Sequence, residues 1–357
     1  MEPTSILELK EIVLASPKIS LQGGCSKTGL RPGAGEARPV YLTSLTGLVE
    51  YEPAEYTFIA WAGTPVAEVN RVLAEHAQYL PFDPVLVKGG ATLGGTVASG
   101  LSGPGRYRYG GVRDFLLGVK FMNGDGEIIQ AGGKVVKNAA GFDLAKLMVG
   151  SLGQYGAMVE LAFKVFPKPE DYTTILAEYP TIDSTLKALY ALSSAPLEIF
   201  AIDLIPDPEG VTLAIRIGGK RSSFPDRIRR ICEILVAGEE IDLEQESVFW
   251  NSATEFDWIP PGSSLVKVPV TPKKIPEFDQ YLRERGAIRR YSVGGNLALV
   301  GWGGEIEPLD DLLSSLSLSG LVVIGSPPRP ILGQRVGQAF AGKIKKALDP
   351  RGRWLEV

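Results

Sequence analysis

The spacing of apolar and polar positions changes several times along the chain. Residues 1–17 read as one helix, stopped near Pro17. Strand-like ISLQ (19–22) follows, then a polar loop GGCSKTG (23–29) and a strand over 39–45. Residues 55–63 read as another strand. Thr64 is then expected to cap, and Pro65 to open, a helix with Val66, Val69, Val72 and Leu73 on one face. Together these predict an open α/β pattern for about the first 85 residues. From there to about residue 142 the spacing matches no long helix. Residues 115–123 and 127–132 read as strands around the turn Asn123-Gly124-Asp125-Gly126. A helix is expected over 142–151. Residues 157–169 alternate apolar with polar, as a strand does, and end at prolines.

Beyond Pro169 the pattern shifts. Strands are expected at 173–180, 197–205 and 211–217, with helices at 182–193 and 224–236. Strands at 263–270, 287–293, 296–302 and 321–325 and helices at 272–285 and 308–316 follow. The order βαββα thus occurs twice, which predicts a separate α+β domain over 170–325 with a split-βαβ duplication. No residue-level identity joins the halves. The segment 240–262, rich in Glu, Pro and Trp, reads as a connector. FAGKIKKALDPRGRW reads as an amphipathic helix stopped at Pro350, and residues 326–357 are expected to pack back on the first domain, 1–169.

Composition sharpens this. Of the 42 glycines, 18 fall between Gly89 and Gly156, about a fifth of the 357-residue chain. There is no Gly-X-Y period, and 45% of residues are apolar, so neither collagen nor disorder fits. The glycines must serve a folded backbone that turns sharply or approaches something closely. A net charge of −4 argues against a nucleic-acid binder. Cys25 and Cys232 lie far apart and form no CxxC, so a reducing compartment is the default. The opening MEPTSILELKEIVL reads as no signal peptide, and no run of about 18 apolar residues occurs. The one histidine, His76, is expected on or near a helix surface. It excludes a zinc site built on several histidines, and a Ser-His-Asp relay would need it to leave its helix.

Two familiar phosphate loops are absent. There is no GxxxxGK[ST], and Gly103, Gly105 and Gly110 miss the GxGxxG spacing. Three small-residue stretches remain. QGGCSK (22–27) sits between strands, where successive N–H groups can converge on an anion. DP (83–84) leads to KGGATLGGTVASGLSGPG (88–105), where small side chains let a bulky flat ligand lie against the backbone. NAAGFDLAKLMVGSLGQYG (138–156) continues the habit. A large cofactor fits three such loops better than a ligand-free region does, but these residues do not by themselves separate a flavin from a nucleotide sugar.

In order and interval, QGGCSK, DP with ATLGGTVASG, GRYRYGGVRDFLLGVKFMNGDGEI and GFDLAKLMVGSLGQYGAMVELAFKVFPKP resemble the PCMH-type FAD-binding domain of the vanillyl-alcohol oxidase flavoprotein family. The resemblance covers about residues 1–170 and the tail DPRGRW. Within the family, GTPVAEVNRVLAEHAQYLPFDP and GGKVVKNAAGFDLAKLMVGSLG are most similar to FAD-binding subunits of glycolate oxidase. The resemblance implies an α+β fold: two FAD-binding subdomains plus a smaller cap with the βαββα duplication. It implies FAD held by Gln22, Gly23, Gly24, Cys25, Ser26 and Lys27 at the pyrophosphate. Asp83, Pro84, Thr92, Leu93, Gly94, Gly95, Ala98, Ser99 and Gly100 would line the second loop. Ser102, Gly103, Gly105, Tyr109 and Gly110 would continue along the cofactor, and Gly150, Ser151, Gly153 and Val159 would approach the adenine or ring end.

The stretch GGCSK carries no histidine for the covalent flavin link many relatives have, so FAD is expected to be non-covalent; a Cys25 thioether is the remaining covalent option. A paired-histidine metal site, as some 2-hydroxy-acid oxidising relatives have, is beyond a chain with His76 alone. The resemblance therefore implies an electron-transfer or assembly role beside an FAD-binding catalytic subunit and an iron–sulfur subunit, cytoplasmic or attached to the inner membrane through those partners. Two cysteines cannot supply the four thiolates of an ordinary iron–sulfur cluster. A stand-alone FAD oxidoreductase of a small alcohol or 2-hydroxy acid, and a scaffold that has lost FAD, stay open. Among candidate cations, Arg106, Arg108 and Arg113 with Tyr107 and Tyr109 could meet a diphosphate or carboxylate, or form an exposed basic loop. Arg289-Arg290-Tyr291, and Arg329 in SPPRP, could meet a carboxylate but read first as surface salt-bridge partners; Lys134 and Lys137 could donate to a flavin or a partner, or be solvated loop lysines. No residue stands out as a general base.

Overall fold

The computed structural model describes residues 1–357 apart from 31–34, 36, 134–142, 236 and 357. Two antiparallel sheets organise it. The first has five strands, in the order Leu48–Glu52, Thr57–Trp61, Ala157–Lys164, Leu116–Met122, Ile128–Gly132. Its central strand, Ala157–Lys164, is buried on both faces. Met158, Leu161 and Phe163 face the helix Val66–Ala74 side, where Phe58 stacks on Phe163 with ring centroids 5.5 Å apart. Ala157 and Val159 face the other way, against Leu9 and Val13 of the helix Ile6–Ala15. That helix is shorter than the 1–17 expected, because Ser5 caps it by accepting from the Glu8 N–H.

A short parallel pair, Ile19–Gln22 with Arg38–Tyr41, lies beside this layer. The tail meets it after the helix Gln338–Leu348. Trp354 is fully buried in the same cluster as Ile19, the Ile19 N–H donates to the Arg353 carbonyl, and the Leu355 N–H donates to the Ile19 carbonyl.

The second sheet has nine strands. In space they run Glu239–Glu240, Asp171–Tyr179, Val211–Gly219, Ile199–Pro206, Ile288–Ser292, Leu297–Trp302, Ser264–Pro269, Ser319–Ile324, Ile331–Gly333. In each half the last strand of the βαββ unit lies between the first two. The halves meet at one antiparallel pairing, Leu204 opposite Tyr291, so the duplication joins edge to edge into one sheet. The fold is α+β.

Two local expectations change and a third, for His76, holds. The segment 240–262 contains a helix, Leu243–Glu255, capped by Asp242 at the Gln245 N–H. Its Glu255 carboxylate accepts from the Val87 and Lys88 N–H groups and ties the two layers together. Thr64 does not cap the helix Val66–Ala74; its buried hydroxyl accepts from the Gly47 N–H and donates to the Trp61 carbonyl. His76 lies just past that helix, exposed, with its ring 5.4 Å from that of Tyr51.

Candidate cofactor site and an adjoining cationic pocket

After Gln22 the chain leaves its strand and crosses the segment 89–92 at close quarters. A Cβ on Gly24 would lie 1.8 Å from the Gly90 carbonyl oxygen, and one on Gly23 would lie 2.6 Å from Thr92 Oγ1. Only glycine permits this approach. The result is a pocket whose one wall is Gln22 to Lys27 and whose other wall is Thr92, Gly94, Gly95, Ala98 and Ser99. Gly153 closes it from a third segment.

The hydrogen-bond accounting separates the two walls. On the helix Leu93–Ser99 the leading amides are already used: Leu93 donates to Thr64, Gly94 to Ala62 and Gly95 to Thr92 Oγ1. On the facing loop, the N–H groups of Gly23, Gly24, Ser26 and Lys27 reach no protein acceptor among the described residues. Free amides gathered like these four on one loop can cradle an anion. Lys27 adds a cation with 8% of its surface exposed, its ammonium 3.3 Å from Ser26 Oγ. Burial pushes its pKa down to about 8, against the opposing pull of the Glu255 carboxylate. These residues fit a diphosphate-bearing cofactor: free donors, one under-compensated cation and walls without bulk. The Cys25 thiol lies 3.4 Å from Gln22 Oε1 and from the Gly23 carbonyl.

Twelve of the residues singled out from sequence thus line one pocket: Gln22 to Lys27, Thr92, Gly94, Gly95, Ala98, Ser99 and Gly153. Others lie elsewhere. Leu93 and Val159 are fully buried in the cores on either side of the five-stranded sheet. Asp83, at φ 47°, points away and accepts from the Gly105 N–H at 2.7 Å. Its burial raises its pKa, with Arg216 opposing. Gly103 and Gly105 are small because Asp83 lies against them: Cβ atoms there would sit 2.7 Å from the Asp83 carbonyl and Oδ2 respectively. Pro84 lines no part of this pocket, and Ser102 is held by the Val112 N–H. Tyr109 packs edge-on against Phe166 and Phe200 between the layers. Gly110 takes φ 87° over the Asp114 carboxylate, and Ser151 is buried outside the pocket.

Sequence reasoning missed Leu21, Leu42, Ala62, Leu152, Met158 and Leu355 as pocket walls. Leu152 turns in at φ 52°, and Leu355 arrives with the tail, which spacing along the chain does not reveal.

A second pocket shares Ser99 and Leu152 with the first and runs on past Gly100 and Gly150 to the nine-stranded sheet. Arg106, Arg113 and Lys267 line it, with Asp114. Arg108 is not there; it lies over the Phe200 ring at 4.7 Å and pairs with Glu198. Arg289 and Arg290 are not surface partners but buried ion pairs. Arg289 Nε lies 2.7 Å from Asp279 Oδ1, and Arg290 Nε lies 2.5 Å from Asp203 Oδ2. Arg329 pairs with Asp310 at the surface. Lys134 and Lys137 lie outside the described residues. No helix among the described residues is long and apolar enough to cross a membrane.

Comparison with known proteins agrees with this geometry. A family model described as an FAD binding domain matches residues 1–132. The chain is 32% identical over 249 residues to glycolate oxidase subunit GlcE of Escherichia coli (strain K12), covering 70% of this chain and 67% of that one. It is 28% identical over 210 residues to D-2-hydroxyglutarate dehydrogenase of Xanthomonas citri pv. viticola, covering 57% of this chain but only 44% of the relative. An alkyldihydroxyacetonephosphate synthase structure superposes with a TM-score of 0.70 over 99% of this chain and 75% of that one, at 16% identity, and so shares the fold. The cofactor is FAD and the chain is an FAD-dependent oxidoreductase component. It belongs to the PCMH-type FAD-binding flavoprotein family that includes glycolate oxidase subunit GlcE.

Proposed function

We propose that the chain is the FAD-binding subunit of a glycolate oxidase assembly, serving electron transfer or assembly beside a catalytic flavoprotein and an iron–sulfur protein. Residues 1–169, with the returning segment 326–357, hold FAD without a covalent bond, and residues 170–325 cap it. The observation that carries this reading is the Gln22–Lys27 loop, where the amides of Gly23, Gly24, Ser26 and Lys27 have no acceptor among the described residues and a buried lysine faces a wall of small residues. The loop amides and Lys27 would neutralise the diphosphate, while Gly94, Gly95 and Ala98 leave room beside it. When bound, FAD supplies the two-electron acceptor. A hydride donor oxidised on the catalytic partner and electrons leaving through the iron–sulfur partner would make this subunit an intermediate station.

Purified protein is expected to show the two visible flavin bands and to release FAD on denaturation. It is also expected to bring down two further proteins when isolated from cells that express the assembly. A colourless protein with no releasable flavin refutes the cofactor role. A second reading, a self-sufficient oxidoreductase of a small 2-hydroxy acid, is favoured by the cationic pocket that adjoins the first. Anaerobic bleaching of the isolated protein by glycolate or D-lactate would select it over the subunit reading.

A further inference from the structure

The helix Leu243–Glu255 belongs to the nine-stranded layer: its Trp250 indole donates to Thr174, and its Glu246 carboxylate pairs with Arg216 at 2.6 Å. Its last two residues reach the other layer. The Thr254 carbonyl accepts from the Leu86 N–H at 3.0 Å. Glu255 Oε1 accepts from the Val87 N–H at 2.9 Å and from the Lys88 N–H at 3.2 Å, and Oε2 accepts from the Lys88 N–H at 3.2 Å. Three successive amides thus end on one helix terminus. Further on the turn closes on itself, with the Gly90 N–H donating to Val87 and the Ala91 N–H to Leu86. Leu86 takes φ 58° there, a left-handed backbone that a leucine keeps only when its surroundings hold it.

A carboxylate at the C-terminal end of a helix opposes the helix dipole, so nothing within Leu243–Glu255 calls for an acid at that position. The turn does. What the turn supports lies on its far side. The Gly90 carbonyl is pressed against the backbone of Gly24, and a Cβ on Gly89 would lie 3.4 Å from the Ser26 Cβ. The loop it backs does not hold its shape through its amides, since those of Gly23, Gly24, Ser26 and Lys27 have no acceptor among the described residues. Beyond Lys27 the chain is pinned separately, by the Gly325 N–H on Thr28 Oγ1. Glu255 also reaches Lys27 through its charge, which opposes the fall in pKa that burial imposes on that lysine. Lys88, beside Glu255 on the turn, is exposed.

We infer that Glu255 is a positioning residue for the cofactor: through the turn 86–90 it holds residues 23–27 in the shape that receives a diphosphate. Among the described residues none between 170 and 325 lines that pocket, so flavin affinity is set partly from a layer that contributes no wall to it. The inference rests on the FAD reading for its ligand; the hold on the loop is made of this chain alone.

The test uses the full chain stripped of flavin. FAD is titrated back and followed by its fluorescence, and separately Cys25, in the loop, and Cys232, on the helix Phe224–Leu235, are labelled with iodoacetamide before FAD is added. Glu255→Leu removes the acceptor. It is expected to weaken FAD about tenfold or more at pH 7 and to raise the Cys25 labelling rate about threefold or more, with Cys232 unchanged as the sign that the variant is folded. Glu255→Gln keeps Oε1, the atom that both amides use, and loses the charge. It is expected to stay within about threefold of wild type at pH 7 and to leave Cys25 labelling as it was. The pH above which its FAD affinity falls should move below the wild-type value of about 8, because Lys27 has lost the charge that helps it keep its proton. Wild-type FAD affinity or wild-type Cys25 labelling in Glu255→Leu, a Glu255→Gln variant as weak as Glu255→Leu, or a pH profile that Glu255→Gln does not move, each overturns the inference. A wild-type protein that takes up no FAD refutes the cofactor reading instead, and the Cys25 rates then decide the positioning by themselves.

Discussion

Asp203 and Lys27 are both charged and both almost wholly buried, yet their surroundings are opposite. Asp203, in the nine-stranded sheet, accepts from Arg290 Nε at 2.5 Å and from Ser292 Oγ at 2.6 Å, while the Arg290 guanidinium lies over the Phe249 and Trp250 rings. Nearby, Asp279 binds Arg289 through both oxygens and Tyr291 through one. In the sheet of nine strands such charges are paired with opposite charges, although Arg290 Nη2 itself has no hydrogen-bond partner among the described residues. Across the molecule, Lys27 has a serine hydroxyl at 3.3 Å and four neighbouring residues, itself included, with unanswered or half-answered donors. The difference teaches how to read buried charge. A closed ion pair reports how a layer is held in register; an open cation reports what the layer is waiting for. By that criterion Arg289 and Arg290 hold the sheet together, and Lys27 is the residue to test for a part in holding the cofactor.

The comparison is open to attack at each end. Asp203→Ala leaves Arg290 buried without its carboxylate, and should cost about 3–5 kcal/mol in urea unfolding. A loss below about 1 kcal/mol would mean the pair is not closed in solution. Gly24→Ala drives a methyl into the Gly90 carbonyl and should cost about 2–3 kcal/mol, with bound flavin lost on gel filtration. Lys27→Met should weaken FAD binding about tenfold yet leave the apoprotein as stable or more stable, because it removes an uncompensated buried cation.

The pH dependence has the same origin. A lysine whose folded pKa is near 8 sheds its proton on folding, so its penalty on apoprotein stability is present below about pH 8 and is relieved as pH rises toward its unfolded value. FAD affinity moves the other way and should fall roughly tenfold between pH 8 and 9.5, with the Lys27→Met variant flat over that range. The smallest effect belongs to an exposed pair. Arg329→Gln breaks its contact with Asp310 and should change stability by no more than about 0.5 kcal/mol.

Much of the architecture is written as local period. The helix Ile182–Ser193 and the hairpins of the nine-stranded sheet follow the apolar spacing within a residue or two. The helix Leu243–Glu255 escaped because its glutamates and the prolines after it resemble a linker; what makes it a helix in place is Trp250, whose indole donates to Thr174 across the interface. The strand Leu48–Glu52 escaped because it is an edge strand with little buried on either face. The loop 22–27 was legible through its small residues. Lys267 was not, because a lysine between Val266 and Val268 reads as the solvent side of a strand. Only the leucines on the neighbouring strands turn that side inward, and they are contributed from 32 and 54 residues away, at Leu299 and Leu321. Asp83 illustrates the reverse: its place before a glycine-rich stretch suggests a ligand contact, but its carboxylate is spent on the Gly105 amide.

Leu355 lines the same pocket as Gln22, and its amide is held by Ile19. One edge of the cofactor cradle therefore comes from residues 22–27 and another from Leu355, more than 300 residues further along the chain. Translation reaches residue 169 with the cradle still lacking a wall, and the intervening nine-stranded sheet must be produced before that wall exists. Docking of the segment after Trp354 therefore completes a wall of the cradle across a long stretch of sequence, the kind of non-local closure that slows folding.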